Sequence, residues 1–149
     1  MDTITNKARI ANFVWEKKEA SKQDIMKELE LSMPTVLQNV NELIGSGVLQ
    51  EGGTYKSTGG RKAKAIVINE NFGYTAGIDI TQNHVSCVII NMRGTIIAHE
   101  RVRMAYNNQS AYYINVKTLL ERILDERDIS RESLLGVGIS LPGILNCDH

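Results

Sequence analysis

The sequence predicts an α+β chain built in two successive parts, and three observations carry that prediction. The first third alternates helix start and stop signals with apolar residues at helical spacing. A turn-rich cationic stretch flanked by strand-like runs follows it. From Tyr74 the texture becomes β, with three runs of strand composition ahead of one long amphipathic helix and a last apolar run. At 149 residues, 42% hydrophobic and 23% charged, the chain holds one ordinary domain or two small ones of globular composition.

Residues 4 to 18, ITNKARIANFVWEKK, place Ile4, Ala8, Ala11 and Trp15 on one stripe with Ile10 and Val14 beside it, predicting a first helix. A second helix starts in SKQDIMKEL, where Ser21 is an N-cap, Asp24 stands at the capping-box position, and Ile25, Met26 and Leu29 form the inward face. A third runs from about Met33 to Ser46, with Ser32 as N-cap, Pro34 in the first turn, and Gly45 and Gly47 around its end. Its apolar positions Val36, Leu37, Val40, Leu43 and Ile44 share an arc; Thr35, Gln38, Asn41 and Glu42 occupy the other, with Asn39 on its flank. Val48 to Gln50 and Ala63 to Asn69 then predict two strands around EGGTYKSTGG. Three helices and a basic hairpin are the outline of a winged helix-turn-helix, with the third helix as reader and the hairpin as wing.

NENFG breaks the periodicity, so a boundary is expected at about Glu70 to Gly73, giving domains over 1–70 and 74–149. TAGIDIT, HVSCVIIN and TIIAHERVR read as an antiparallel meander. SAYYINVKTLLERILDERD reads as a helix with Tyr113, Val116, Leu120 and Ile123 inward, and LLGVGISLPG as a buried strand running into a Pro-Gly turn. The second part is therefore β-β-β-α-β.

Formal net charge is zero, with 17 cationic and 17 acidic side chains. Clustering matters more than the sum, because exposed charges act over roughly 10 Å. Between Gly52 and Asn69 stand four cations (Lys56, Arg61, Lys62, Lys64) and no acid. In KSTGGRKAK the glycines are followed by a strand, so no helix N-terminus is at hand to cradle nucleotide phosphates as a P-loop requires. A solvated turn is the plain reading; a wing whose backbone lies close to duplex DNA is the functional one. Cys87 and Cys147 lie far apart without CxxC spacing, and His84, His99 and His149 are scattered, so neither a metal nor a cofactor is expected. No run of about 18 apolar residues and no secretory block at MDTITNKARIANF occur, so no membrane partner and a cytoplasmic location are expected.

The motifs LSMPTVLQNVNELIGSGVLQE, STGGRKA, AGIDIT and GVGISLPGILN resemble the regulator branch of the ROK family (repressor, open reading frame, kinase). The spacing of STGGR ahead of GIDI is the more specific sign; the third helix is shared by many winged-helix proteins. The resemblance implies a DNA-binding repressor of sugar-metabolism genes, acting as a homodimer. Its second part would be the opening of an actin-like, ribonuclease-H-like lobe, truncated before the family's sugar-contacting, catalytic and zinc motifs. A sugar effector is thus expected only in a complete ROK domain. By the same resemblance Arg61 enters the minor groove, while Lys62 and Lys64 meet phosphates, with Lys56 in the same basic run.

For the third helix, Gln38 and Asn39 can pair with adenine and Thr35 can meet a thymine methyl; Ser32 and Thr35 are alternatively phosphate contacts. A solvated face is the plain alternative, although such faces favour Lys and Glu over amides. No catalytic residue is expected. Asp79 heads the position where kinases of this fold carry a glycine-rich turn, but Thr81-Gln82-Asn83 follows, whose side chains obstruct ATP phosphates. The competing readings are a ROK sugar kinase with an N-terminal extension and a winged-helix module that holds another protein.

Overall fold

The computed structural model of the protein describes residues 4–54, 64–141 and 143. The chain divides into two compact units, Met1–Phe72 and Gly73–His149.

In the first unit, α1 (Asn6–Lys17) starts at Thr5, whose hydroxyl accepts from the Ala8 amide at 3.3 Å. A two-residue strand, β1 (Glu19–Ala20), leads into α2 (Lys22–Glu28). The Ser21 hydroxyl accepts from the Asp24 amide at 3.1 Å, and Asp24 Oδ2 accepts in return from the Ser21 amide at 2.9 Å. Two otherwise orphaned N–H groups at a buried helix start are thereby satisfied together. Helix α3 (Met33–Gly45) begins at Ser32 with Pro34 in the first turn, where its missing N–H costs nothing. Gly47, at φ +81°, turns the chain out of the helix through a conformation that a side chain would resist.

Strands β2 (Leu49–Thr54) and β3 (Lys64–Ile68) are antiparallel, and β1 adds to the far side of β3, so the sheet order is β1-β3-β2. The register shifts by one residue between Glu51 and Thr54. Gly52 sits in that bulge, where an added Cβ would stand 3.0 Å from Val67 Cγ1. The core joins Ile10 and Val14 of α1, Ile25 of α2, Val36, Val40 and Leu43 of α3, and Leu49, Ala65, Ile66 and Ile68 of the sheet. Each fully buried Ile or Val contributes about 1.5–3 kcal/mol. Asn69 closes the unit: its side-chain amide donates to the Gly47 carbonyl at 2.9 Å, and its own carbonyl accepts from the Phe72 amide at 3.1 Å.

Two sequence expectations for this unit change. On α1 the inward residues are Ile10 and Val14, whereas Ile4 and Trp15 are exposed, because the partner helices lie against the 10/14 stripe. On α3, Leu37 faces outward and Val36, Val40 and Leu43 carry the burial.

Among the described residues the second unit is a four-stranded sheet of order β6-β5-β4-β7 with one α-helix. Strands β4 (Tyr74–Ile80), β5 (His84–Asn91) and β6 (Ile96–Arg103) form the antiparallel meander. The β5–β6 turn is held by Asn91, whose buried side-chain carbonyl accepts from the amides of Arg93 at 2.9 Å and Thr95 at 3.0 Å. Helix α4 (Ser110–Glu126) crosses the sheet, and after a single 3₁₀ turn β7 (Leu134–Ser140) returns parallel to β4. Alternate residues Val85, Cys87 and Ile89 meet Ala76, Ile78 and Ile80 beneath α4.

Helix α4 buries Tyr112, Val116, Leu119, Ile123 and Leu124. The expected Val116 and Ile123 are among them, whereas the expected inward Tyr113 is exposed and Leu120 only half-buried. The expectation of a buried final strand is also corrected. Leu135, Val137 and Ile139 of β7 are exposed, Ile139 by 59%, because β7 pairs on one side only among the described residues.

Candidate nucleic-acid interface

The polar side chains of α3 are held in a fixed arrangement by one another. At its start the Ser32 and Thr35 hydroxyls lie 2.8 Å apart, and Ser32 Oγ also accepts from the Thr35 amide at 3.3 Å. One turn on, Asn39 donates from Nδ2 to the Thr35 carbonyl at 2.7 Å, so part of its amide is spent on the helix itself. Gln38, exposed, donates from Nε2 to Glu42 Oε1 at 3.1 Å. Glu42 in turn pairs through Oε2 with Lys7 Nζ of α1 at 2.5 Å. The hydrogen bond from Lys7, then that from Gln38, hold the Glu42 carboxyl below its ordinary pKa, so it is a committed anion at neutral pH.

Four of the sequence-predicted residues, Ser32, Thr35, Gln38 and Asn39, therefore follow one another along a single helix. On the hairpin, Lys64 is ion-paired across the strands with Glu51, whose carboxyl is depressed first of all by that hydrogen bond. Lys56, Arg61 and Lys62 lie outside the described residues. The sequence reading did not single out Lys7, Glu42 or Glu51. The i,i+4 spacing of Gln38 and Glu42 was a usable sign; the partnership with Lys7 across two helices was not.

In the second unit, Ser140 of β7 donates from Oγ to Asp79 Oδ1 at 2.8 Å. Both border a shallow depression of about 540 Å³ on the sheet face away from α4, floored by Gly77 and Gly138 and edged by Ser86, Val88 and His99. The Thr81-Gln82-Asn83 turn is tied by Thr81 Oγ1 donating to the His84 carbonyl at 3.0 Å. Among the described residues no three His, Cys, Asp or Glu side chains gather to hold a metal, and no helix is long and apolar enough to cross a membrane.

The chain is 28% identical over 141 residues to the xylose repressor of Caldicellulosiruptor bescii, covering 94% of this chain and 35% of that protein. It is 26% identical over 119 residues to the xylose repressor of Bacillus subtilis strain 168, covering 80% and 31%. To the DNA-binding transcriptional dual regulator NagC of Escherichia coli K12 it is 20% identical over 128 residues, covering 86% and 32%. The chain is a relative of the ROK-family repressors.

No family model matches the chain. The crystal structure of a ROK family transcriptional regulator, a homologue of the Escherichia coli MLC protein, superposes with a TM-score of 0.68 at 18% identity over 95% of this chain and 36% of that one. At that identity the likeness is one of fold: this ROK relative shares its mixed α and β architecture. The chain spans about a third of the length of the curated relatives it matches.

Proposed function

We propose that the first unit is a winged helix-turn-helix that binds double-stranded DNA, and that the second is the opening part of a ROK domain. Together they make a sequence-specific transcriptional regulator, a repressor of sugar-metabolism genes working in the cytoplasm as a homodimer. The observation that carries this reading is the run of hydroxyls and amides along α3, with Ser32 and Gln38 exposed and Thr35 and Asn39 half-buried, and with the β2–β3 hairpin beside it in the same unit. A helix of this kind fits the major groove, where Gln and Asn read base edges, Thr meets a thymine methyl, and Ser or Thr alternatively meets a phosphate. The basic stretch Lys56–Lys64 supplies the phosphate contacts that α3, without a cation of its own, lacks, with Arg61 in the adjacent minor groove.

The relatives are named as repressors and as a DNA-binding regulator over a region that includes both units, which supports this function over catalysis. A sugar effector belongs to the reading only for a full-length ROK domain. Release from DNA would then follow from a change in spacing between two winged units of a dimer.

Titration of an A·T-rich duplex against salt tests the proposal. Contact with several phosphates requires affinity to fall steeply as salt rises, whereas a salt-independent response would favour a protein partner instead. A clear rise in melting temperature with Mg-ATP would favour a kinase.

A further inference from the structure

We propose that Glu42, held by Lys7, is a positioning residue that fixes the amide of Gln38 so that it accepts adenine and rejects guanine at the base pair it reads. This rests on the proposed function above, and goes beyond it by naming what sets one element of specificity.

An ionised carboxylate only accepts hydrogen bonds, so whichever way the Gln38 amide is turned, its nitrogen must be the end that faces Glu42 Oε1, 3.1 Å away. A Gln side chain has two N–H donors and one carbonyl acceptor. With one N–H given to Glu42, one donor and one acceptor remain. Adenine offers one donor (N6) and one acceptor (N7) in the major groove, which matches that remainder. Guanine offers two acceptors (O6 and N7), and would face the Gln38 carbonyl with no proton between them. A Gln free to flip could turn its NH₂ end to guanine; Glu42 removes that option.

A carboxylate on a DNA-reading face also carries a cost, since it repels the phosphates on either side. Lys7 Nζ, 2.5 Å from Glu42 Oε2, neutralises it from α1 without covering Oε1, and both side chains stay about half exposed, at 51% and 42%. Orientation and charge are therefore served by different atoms of one side chain, and substitution can separate them. In Glu42→Gln the charge is gone and the new amide can either accept from Gln38 or donate to it, so the orientation is no longer enforced. In Glu42→Ala both are gone. Lys7→Met leaves the orientation and exposes the charge.

The experiment is selection of the full 149-residue chain on a duplex library with a randomised core, followed by affinity measurement on the enriched site and its single-base variants. Gln38→Ala locates the base pair concerned, as the position whose preference flattens. There the wild type is expected to favour adenine over guanine by about tenfold or more. Glu42→Ala should reduce that ratio below about threefold at this position alone, Glu42→Gln should lower it as well, and Lys7→Met should keep the ratio while weakening adenine and guanine sites alike. The inference is overturned if Glu42→Ala keeps the wild-type ratio, if it instead erases a cytosine preference at another position, or if Gln38→Ala flattens nothing. Failure of the wild type to enrich any sequence, with binding insensitive to salt, would overturn the DNA-reading function itself, and that outcome is distinct from the other three.

Discussion

Lys64 is the one cation among the proposed phosphate contacts whose surroundings are described, and its ion pair with Glu51 makes a sharp test. If the wing meets DNA, this lysine must be shared between a carboxylate on the neighbouring strand and a phosphate. Each phosphate neutralised adds about 0.9 to the slope of log affinity against log salt. Removing one contact therefore changes the fourfold salt step from 50 to 200 mM by a factor of about 3.5. Lys64→Ala is expected to lower the slope by about 0.9 on every duplex, specific or not. Glu51→Gln releases the lysine from its competitor and is expected to tighten binding at low salt by about two- to fivefold, within the range of exposed ion pairs. Fluorescence anisotropy of a labelled duplex at five or six salt concentrations gives both numbers. If neither substitution changes the slope or the affinity, Lys64 is only a clamp on the hairpin, and the anchoring falls to other residues.

Other consequences can be measured on stability. Ser21→Ala removes the hydroxyl half of the capping box at the start of α2 and should cost about 0.5–2 kcal/mol by denaturant unfolding; no loss would mean the box is not formed in solution. Tyr112→Phe deletes a buried hydroxyl that has no partner among the described residues, so stability should be unchanged or higher, and a loss above about 1 kcal/mol would reveal a bond to that oxygen. The Glu42 carboxyl, depressed by Lys7, adds stability that is present above the ordinary glutamate pKa and lost as pH falls through the lower folded value. Lys7→Met should flatten that acid limb, seen as a smaller drop in melting temperature between neutral and acid pH. Cys87, buried beneath α4 with its thiol pKa raised by burial and then by Glu100, should react with a thiol reagent only on unfolding.

Much of this was legible because caps and turns are local. Ser21 with Asp24, Ser32 with Pro34, and Gly47 mark helix ends within four residues of themselves, and each marks one here. Faces were harder. Helix α1 carries two neighbouring apolar stripes, and its partners, not its own sequence, decided that Ile10 and Val14 go inward. On α4 the adjacent Tyr112 and Tyr113 stand about 100° apart, one to each side of the stripe through Val116 and Ile123, so that stripe alone did not choose between them. The apolar run in β7 shows what a strand is able to bury and says nothing of what lies over it. At the interface, residue types along α3 could be read directly, but the commitments of their hydrogen bonds could not. Lys7 reaches Glu42 from another helix, and Glu51 meets Lys64 across a register that contains a bulge.

The parallel pairing of β7 with β4 also sets an order of assembly. The β4–β5–β6 ladder closes through turns of a few residues, whereas Tyr74 must find Leu134 across the whole meander and α4. Closing that longer loop costs about 2–3 kcal/mol more in chain entropy than closing one tight turn. The meander should therefore zip first, α4 should settle on it, and β7 should dock last and come off first. Amide hydrogens of Val137 to Ser140 would then exchange through an opening far smaller than global unfolding, with Asp79 losing its serine partner each time the strand lifts.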